Sequence, residues 1–361
     1  MKLQLSGHKL LWHTEILEKW QKGEFFYPLH LDIGPSYSCS QDCAFCYVGY
    51  LRKKGGRRQK FLEKEVFLRL MEELGEAGVK SIAMCGCGEP LLNSATPNAV
   101  VRAKECGVDV SLITNGVHFT PTVAEKTLES LSWVRFSIYG ASKKVYDAVH
   151  RGGENDWKNA YSNLREICEI KRKRSLKTTI GSVMLVLPEN GHEVDLLAQR
   201  LKEYGVDYLS VKPATQNPKN TFSAPRDLHK RFKDNLLLTE KLSSNNFHVE
   251  VRWDQFGFEE QFIESGRSVK GYGECLGLPF IACIDADGSV YACNGHWRNP
   301  KFLYGNVYEK PYKEIWQDAW KRMYNLKDEI NLGECEPICR THAINNFLWQ
   351  LNHPPEHINF P

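Results

Sequence analysis

The sequence shows no hydrophobic signal segment at its start and no apolar run of bilayer-spanning length, so neither export by a signal peptide nor a membrane-spanning helix is expected. Such a chain is expected in the cytoplasm, where thiols stay reduced. Its twelve cysteines in 361 residues therefore need an explanation other than a disulfide framework. A large excess of one charge is missing too. The 47 Lys and Arg face 44 Asp and Glu, a formal charge of +3, which argues against nucleic acid as a partner. What is present is the composition of a soluble enzyme, 42% hydrophobic and 25% charged with nine Trp and fifteen Tyr, long enough for one large domain and a smaller one.

Three of the cysteines stand in Ser38-Cys39-Ser40-Gln41-Asp42-Cys43-Ala44-Phe45-Cys46-Tyr47, a C-x3-C-x2-C spacing directly after the apolar run Leu29 to Ile33. Three thiolates on one short loop suit a metal cluster. A four-iron cluster has four corners, so three cysteines leave one iron open to a small molecule offering nitrogen or oxygen. A structural zinc site is the competing account, and it wants a fourth protein ligand. No histidine or further cysteine lies near Cys46 to supply one.

Basic residues concentrate in two runs. Lys171-Arg172-Lys173-Arg174 closes a helical stretch, where cations complement the helix dipole. Arg52-Lys53-Lys54-Gly55-Gly56-Arg57-Arg58 follows the cysteine loop and carries adjacent glycines. As a basic flap it would suit a phosphate or nucleotide on a substrate; a solvated loop is the alternative.

Hydrophobic periodicity alternates along the chain. Strand patterns cover Leu29 to Ile33, Lys80 to Met84, Val108 to Ile113, Trp133 to Ile138, Lys177 to Leu187 and Tyr208 to Lys212. Helical patterns between them cover Leu62 to Ala77, Ser94 to Cys106, Thr120 to Ser130, Ser142 to His150, Asp156 to Arg174 and His192 to Tyr204. Strands alternating with helices want a parallel sheet, so the expected fold is an α/β barrel or open barrel with function at the carboxyl ends of its strands. The cysteine loop, Gly88-Glu89-Pro90, Asn115 and Ser137 all fall at such ends. Beyond residue 215 the alternation stops, with a helix expected over Arg226 to Ser243 and a strand over Phe247 to Trp253. Pro279 to Cys293 then reads as a hairpin of two apolar runs across Asp287-Gly288, with Cys275, Cys283, Cys293, Cys335 and Cys339 in and around it.

The cysteine loop, with Phe45 before its third cysteine, resembles that of the radical S-adenosylmethionine (radical SAM) superfamily. Met84-Cys85-Gly86-Cys87-Gly88-Glu89-Pro90 looks like that family's G-E-P turn, and Ile113-Thr114-Asn115-Gly116 and Val134-Arg135-Phe136-Ser137-Ile138 look like its later strand ends. The resemblance spans residues 28 to 215 and implies a partial (βα)6 TIM-like barrel. It further implies that Cys39, Cys43 and Cys46 ligate a 4Fe-4S cluster, that Phe45 accompanies them, and that Gly86, Gly88 and Glu89 hold the methionyl amino group. Asn115 would lie near the ribose, and Ser137 with Arg151 would reach the carboxylate; Arg151 has a helix-capping role as its alternative. The chemistry implied is reductive cleavage of S-adenosylmethionine to a 5'-deoxyadenosyl radical that removes a hydrogen atom from an unactivated C–H bond.

Cys275, Gly288 and Cys293, spaced C-x12-G-x4-C, look like the opening of the SPASM or twitch extension that follows many such barrels. Cys335 and Cys339 match the last part of a full SPASM cysteine block, so the shorter twitch form fits better. Cys275, Cys293, Cys335 and Cys339 would fill every corner of one auxiliary 4Fe-4S cluster in a small α+β domain, with a zinc ribbon as the alternative. The expected organisation is an extension over 1–27, a core barrel over 28–225, a bridge over 226–270 and a cluster domain over 271–361.

A fully ligated auxiliary cluster is left to move or store an electron, which suits oxidation; a thiol donating a hydrogen atom would instead make an epimerase. In related maturases a carboxylate follows the cysteine at the Cys293 position, whereas this chain has Asn294. Glu274, His296 and Glu189 are the candidate bases in its place. Of the remaining thiols, Cys87 in the G-E-P turn and Cys283 on the hairpin are the candidate donors, while Cys106 and Cys168 read as core packing. Residues 1 to 27 are too short for a leader-binding domain, which favours a small polar substrate such as a sugar, aminocyclitol or nucleotide sugar over a peptide. A reductant such as flavodoxin or ferredoxin is the implied partner, with neither nucleic acid nor membrane. A non-enzymatic electron carrier would not account for a G-E-P turn and a barrel.

Overall fold

The computed structural model describes residues 7–53, 61–215 and 227–359, together with Phe222 and Pro225. The basic run around Gly55 and Gly56 lies for the most part outside the described residues. Seven parallel strands build the barrel: β1 (His30–Ile33), β2 (Ser81–Met84), β3 (Asp109–Thr114), β4 (Leu131–Ser137), β5 (Thr179–Val186), β6 (Tyr208–Pro213) and β7 (His248–Val251). The strand–helix alternation accounts for the first six, and β7 adds to the β6 edge.

Each strand faces two environments. On β1, Leu31 and Ile33 are fully buried against the helix layer, while His30 and Asp32 point the other way, into the lumen. Val134 and Phe136 on β4, and Leu209 and Val211 on β6, likewise join the apolar core, leaving Arg135, Ser137 and Lys212 on the inner face. Helices such as Lys64–Glu76 and Asp156–Lys173 cover the outer face with buried stripes, Phe67, Leu70, Met71 and Leu74 in the first and Leu164, Ile167 and Cys168 in the second.

The hairpin expected near Cys283 forms as β8 (Ile281–Ile284) and β9 (Ser289–Tyr291), followed by β10 (Leu303–Asn306). It continues the barrel sheet: β8 lies parallel to β1, pairing Asp32 with Cys283. The ten strands run in the order β10-β9-β8-β1-β2-β3-β4-β5-β6-β7. The turn between β8 and β9 needs Gly288 at φ 81°, because a Cβ there would meet the Tyr308 ring at 2.4 Å.

One helix differs from expectation. Arg226 to Ser243 is divided into Leu228–Arg231 and Lys233–Glu240, because Phe232 turns its ring onto Gly191, where a Cβ would stand 2.1 Å away. Further on, Trp253–Ser265, Tyr312–Asp328 and His342–Asn352 are helices. No helix among the described residues is long and apolar enough to cross a membrane.

Candidate active site and auxiliary cluster site

The G-E-P turn and the cysteine loop are held together at the carboxyl ends of β1, β2 and β3. Glu89 N–H donates to the Ser38 carbonyl at 2.8 Å. A Cβ on Gly88 would lie 2.2 Å from that oxygen and 2.8 Å from the Ser36 carbonyl, so only glycine permits the approach. Gly86, at φ 133°, presses on Gly34, where its Cβ would come within 2.6 Å of backbone. The Glu89 carboxylate is 3% exposed, and it accepts from Leu91 N–H at 3.1 Å, Thr114 Oγ1 at 2.7 Å and Asn115 N–H at 2.8 Å. Burial raises its pKa, and these three donors oppose the rise. Glu89 is thereby fixed between the turn and the β3 end.

Asn115 reaches across to the cysteine loop, with Nδ2 3.1 Å from Ser40 Oγ and 4.0 Å from Cys39 Sγ, and its Oδ1 accepts Val117 N–H at 3.0 Å. Phe45 is buried edge-on against Tyr139, ring centroids 4.8 Å apart at 87°. Ser137, ending β4, hydrogen bonds to the Tyr139 side chain. Arg151 sits in the left-handed cap of Lys143–His150 at φ 52°, and its carbonyl accepts Asp42 N–H at 3.4 Å. It therefore caps a helix and touches the loop through its backbone, while its side chain is exposed.

Sequence reasoning missed the support under Cys43. His150 is fully buried, stacked between Tyr139 and Tyr146. Its Nε2 accepts Tyr139 N–H at 3.1 Å, which puts the proton on Nδ1, facing Gln41 Oε1 at 2.8 Å and Cys43 Sγ at 3.8 Å. Burial drives its pKa down to about 3, so the ring is neutral, with Nδ1–H toward Gln41 and Cys43 Sγ. A histidine ending a helix 107 residues away gave no signal of this role.

The four auxiliary cysteines come together from three segments. The Cys275 thiol is pushed up to about 11 and Cys335 to about 12, in each case by burial and then by the charge of Cys339. Cys293 is raised well above its usual range by burial, Cys339, Glu336 and Cys275. Sulfurs that repel one another this way fit a cation shared among them, because metal-bound thiols are deprotonated. Asn345 Nδ2 approaches Cys275 Sγ at 3.7 Å, and Thr341 Oγ1 lies 3.2 Å from Cys339 Sγ. Among the described residues no three His, Cys, Asp or Glu side chains close on a single ion; thiolates of a four-iron cluster each hold a different iron and stand apart.

A bridge joins the two cysteine sites. The Tyr47 hydroxyl, one residue past Cys46, donates to Glu336 Oε1, one residue past Cys335, and Lys270 Nζ holds the Glu336 carbonyl at 2.7 Å. Glu336 also lies beside Gly295, where a Cβ would stand 2.6 Å from Oε1. A carboxylate thus reaches the loop after Asn294 from a different segment, which no local motif announces.

The other candidates are placed as follows. Cys87 is 1% exposed and its Sγ donates to Asp285 Oδ1 at 3.4 Å. Cys283 is buried on the inner face of β8, and its thiol is raised well above the usual range by burial, Asp32, Cys293 and Cys85. Glu274 is ion-paired with Lys327 at 3.1 Å on the helix Tyr312–Asp328. His296 stacks on Phe302 with centroids 3.8 Å apart, and Glu189 is exposed in a turn.

Comparison with known proteins agrees with this geometry. The family model of the radical SAM superfamily matches residues 33–199, and that of an iron-sulfur cluster-binding domain, SPASM, matches residues 275–341. The chain is 26% identical over 325 residues to the mycofactocin maturase MftC of Mycolicibacterium smegmatis, covering 89% of this chain and 77% of that protein. It is 25% identical over 327 residues to the Fe-coproporphyrin III synthase of Methanosarcina barkeri, covering 84% and 76%. The fold is shared with Streptococcus suis SuiB bound to S-adenosylmethionine, at TM-score 0.62 and 16% identity over 84% of this chain and 69% of that one. The match implies S-adenosylmethionine and two 4Fe-4S clusters as cofactors, and the donor sets described above fit them. From cluster loop to auxiliary cysteines, this chain belongs to the radical SAM superfamily and carries a SPASM domain carboxy-terminal to its radical SAM domain.

Proposed function

We propose that this radical SAM enzyme oxidises a small polar substrate in the cytoplasm. It removes a hydrogen atom from a C–H bond and passes the remaining electron to the auxiliary cluster, with a flavodoxin or ferredoxin as the outside reductant. The observation that carries this reading is the auxiliary set itself: the charge of Cys339 acts on Cys275, Cys293 and Cys335 alike, so four thiolates would fill one cluster and leave no corner for a substrate. Electron transfer remains as its role.

Cys39, Cys43 and Cys46 would hold the first cluster, with His150 Nδ1–H directed at Cys43 Sγ. The backbone cradle of Gly86 and Gly88 and the fixed carboxylate of Glu89 would receive the methionyl amino group, and Asn115 and Ser137 flank the same opening. Bound there, the cluster and S-adenosylmethionine supply a 5'-deoxyadenosyl radical. The substrate proton would leave to Glu336 or to a water at the barrel mouth, since Glu274 is tied to Lys327.

Two other readings each have one supporting observation. Cys85 and Cys283 carry thiols held protonated beside Asp32, which suits hydrogen-atom return and epimerisation. The likeness to a protein named as a maturase suits a peptide substrate. The test is anaerobic reconstitution with S-adenosylmethionine, a strong reductant and candidate sugars and nucleotide sugars in deuterated water. Product two hydrogens poorer with 5'-deoxyadenosine supports oxidation; deuterium gained at carbon without net oxidation refutes it in favour of epimerisation.

A further inference from the structure

The inner face of the barrel carries more positive charge than it neutralises. Arg135 on β4 and Lys212 on β6 point inward; Arg252, whose N–H extends the β6–β7 ladder to the Val211 carbonyl at 2.8 Å, flanks them, and Arg340 enters from the loop after Cys339. Two of these cations are matched. Arg340 holds Asp32 through Nε and Nη2, each at 3.3 Å, and Arg252 holds Asp254 at 3.1 and 3.0 Å. Glu250, on the same face of β7, influences Arg252 and Tyr208.

Among the described residues Arg135 and Lys212 are not matched by a carboxylate. Arg135 Nε is buried without an acceptor, and its guanidinium lies 5.7 Å from the centroid of the Trp133 ring. Lys212 has no hydrogen bond or ion pair among the described residues. Burial and the charges of Arg135, Arg252 and Arg340 push its pKa down to about 7, with no carboxylate among the influences. Holding two half-buried cations without a described counter-charge costs stability, which favours a partner that arrives from outside. Their places on the inner face indicate which molecule brings it. Arg135 is two residues before Ser137 on β4, about 7 Å deeper in the lumen than the S-adenosylmethionine opening.

We propose that Arg135, below the Ser137 row, and Lys212, two residues beyond that row toward the barrel mouth through the register Ser137–Val183–Ser210, line the substrate site and bind an oxyanion of the substrate, a phosphate or carboxylate group. The inference rests on the radical reaction proposed for the same cavity, and it assigns that reaction's substrate an anionic group.

The reconstituted enzyme, with S-adenosylmethionine bound, is titrated calorimetrically with pyrophosphate and with tricarballylate, and the titrations are repeated on Arg135→Gln and Lys212→Met. Saturable binding of either probe to the wild type, weakened at least tenfold in both variants, is expected. Pyrophosphate alone would identify a phosphate-bearing substrate and tricarballylate alone a carboxylate. Failure of both probes to bind, or equal binding to wild type and variants, overturns the proposal. If Arg135→Gln loses its iron, Lys212→Met, which removes a buried charge without breaking a hydrogen bond, carries the test. Probe binding by an enzyme that never forms 5'-deoxyadenosine would overturn the reaction and leave the anion site standing; 5'-deoxyadenosine without probe binding does the reverse.

Discussion

Replacing Lys212 by methionine should make the protein more stable, and the size of the gain should follow pH. The lysine pKa falls from its ordinary 10.5 to about 7 in the folded protein, through burial first and then through Arg135, Arg252 and Arg340. Each pKa unit corresponds to about 1.4 kcal/mol, so the folded state forfeits on the order of 4 kcal/mol at neutral pH. Below pH 7 the ammonium is charged in folded and unfolded chains alike, and the whole cost is felt. Between pH 7 and 10.5 the folded protein releases this proton while the unfolded chain keeps it, so wild-type stability climbs with pH; above 10.5 the penalty is gone. Methionine has a similar reach and no charge. Urea unfolding of the reconstituted protein, followed anaerobically by tryptophan fluorescence, should show Lys212→Met several kcal/mol more stable at pH 6.5 and much closer to wild type at pH 9.5. A variant no more stable at pH 6.5, or an advantage that does not shrink with rising pH, refutes the reasoning.

Replacing Cys39, Cys43 and Cys46 together with alanine should abolish 5'-deoxyadenosine formation and leave about half the iron, measured colorimetrically and by electron paramagnetic resonance; loss of all iron would sink the two-site assignment. Cys335→Ala should still cleave S-adenosylmethionine but yield no oxidised product. Gly88→Ala places a methyl 2.2 Å from the Ser38 carbonyl, so iron at the first site should fall with the auxiliary site intact. Glu89→Gln exchanges one acceptor oxygen for a donor facing either Asn115 N–H or the Thr114 and Leu91 donors; stability should drop by roughly 1–3 kcal/mol, and S-adenosylmethionine binding, read by calorimetry, should weaken at least tenfold.

The barrel strands were legible to within about two residues because each carries its own apolar pattern, bounded by turn residues. Phe247 to Trp253 was readable for the same reason and proved to be β7. What escaped were features made by contact between distant segments. The break at Phe232 exists because its ring needs Gly191, and neither residue shows this alone. β10 has a single buried residue, Tyr304, and a glycine beside it, so no apolar pattern announces it. At the site, the cysteines and the G-E-P turn stood out through their spacing. His150 under Cys43, Glu336 on Tyr47 and the cations facing Lys212 are ordinary residue types whose partners lie far along the chain. A signal for the last did exist: Val134-Arg135-Phe136 and Val211-Lys212-Pro213 each set a cation between apolar neighbours inside a buried strand, where a solvated face cannot explain it.

The pairing of β1 with β8 also bears on how the protein is made. His30 meets Ile281, and at roughly 5–20 residues per second a ribosome takes on the order of 10 to 50 s to pass from one to the other. Throughout that interval the β1 edge, with the first three cysteines just beyond it, has no neighbour on that side. Iron delivered then would meet a half-built pocket, and prematurely terminated chains would offer a bare strand edge to one another. The order that avoids both is closure of the sheet by the late hairpin before metal is loaded.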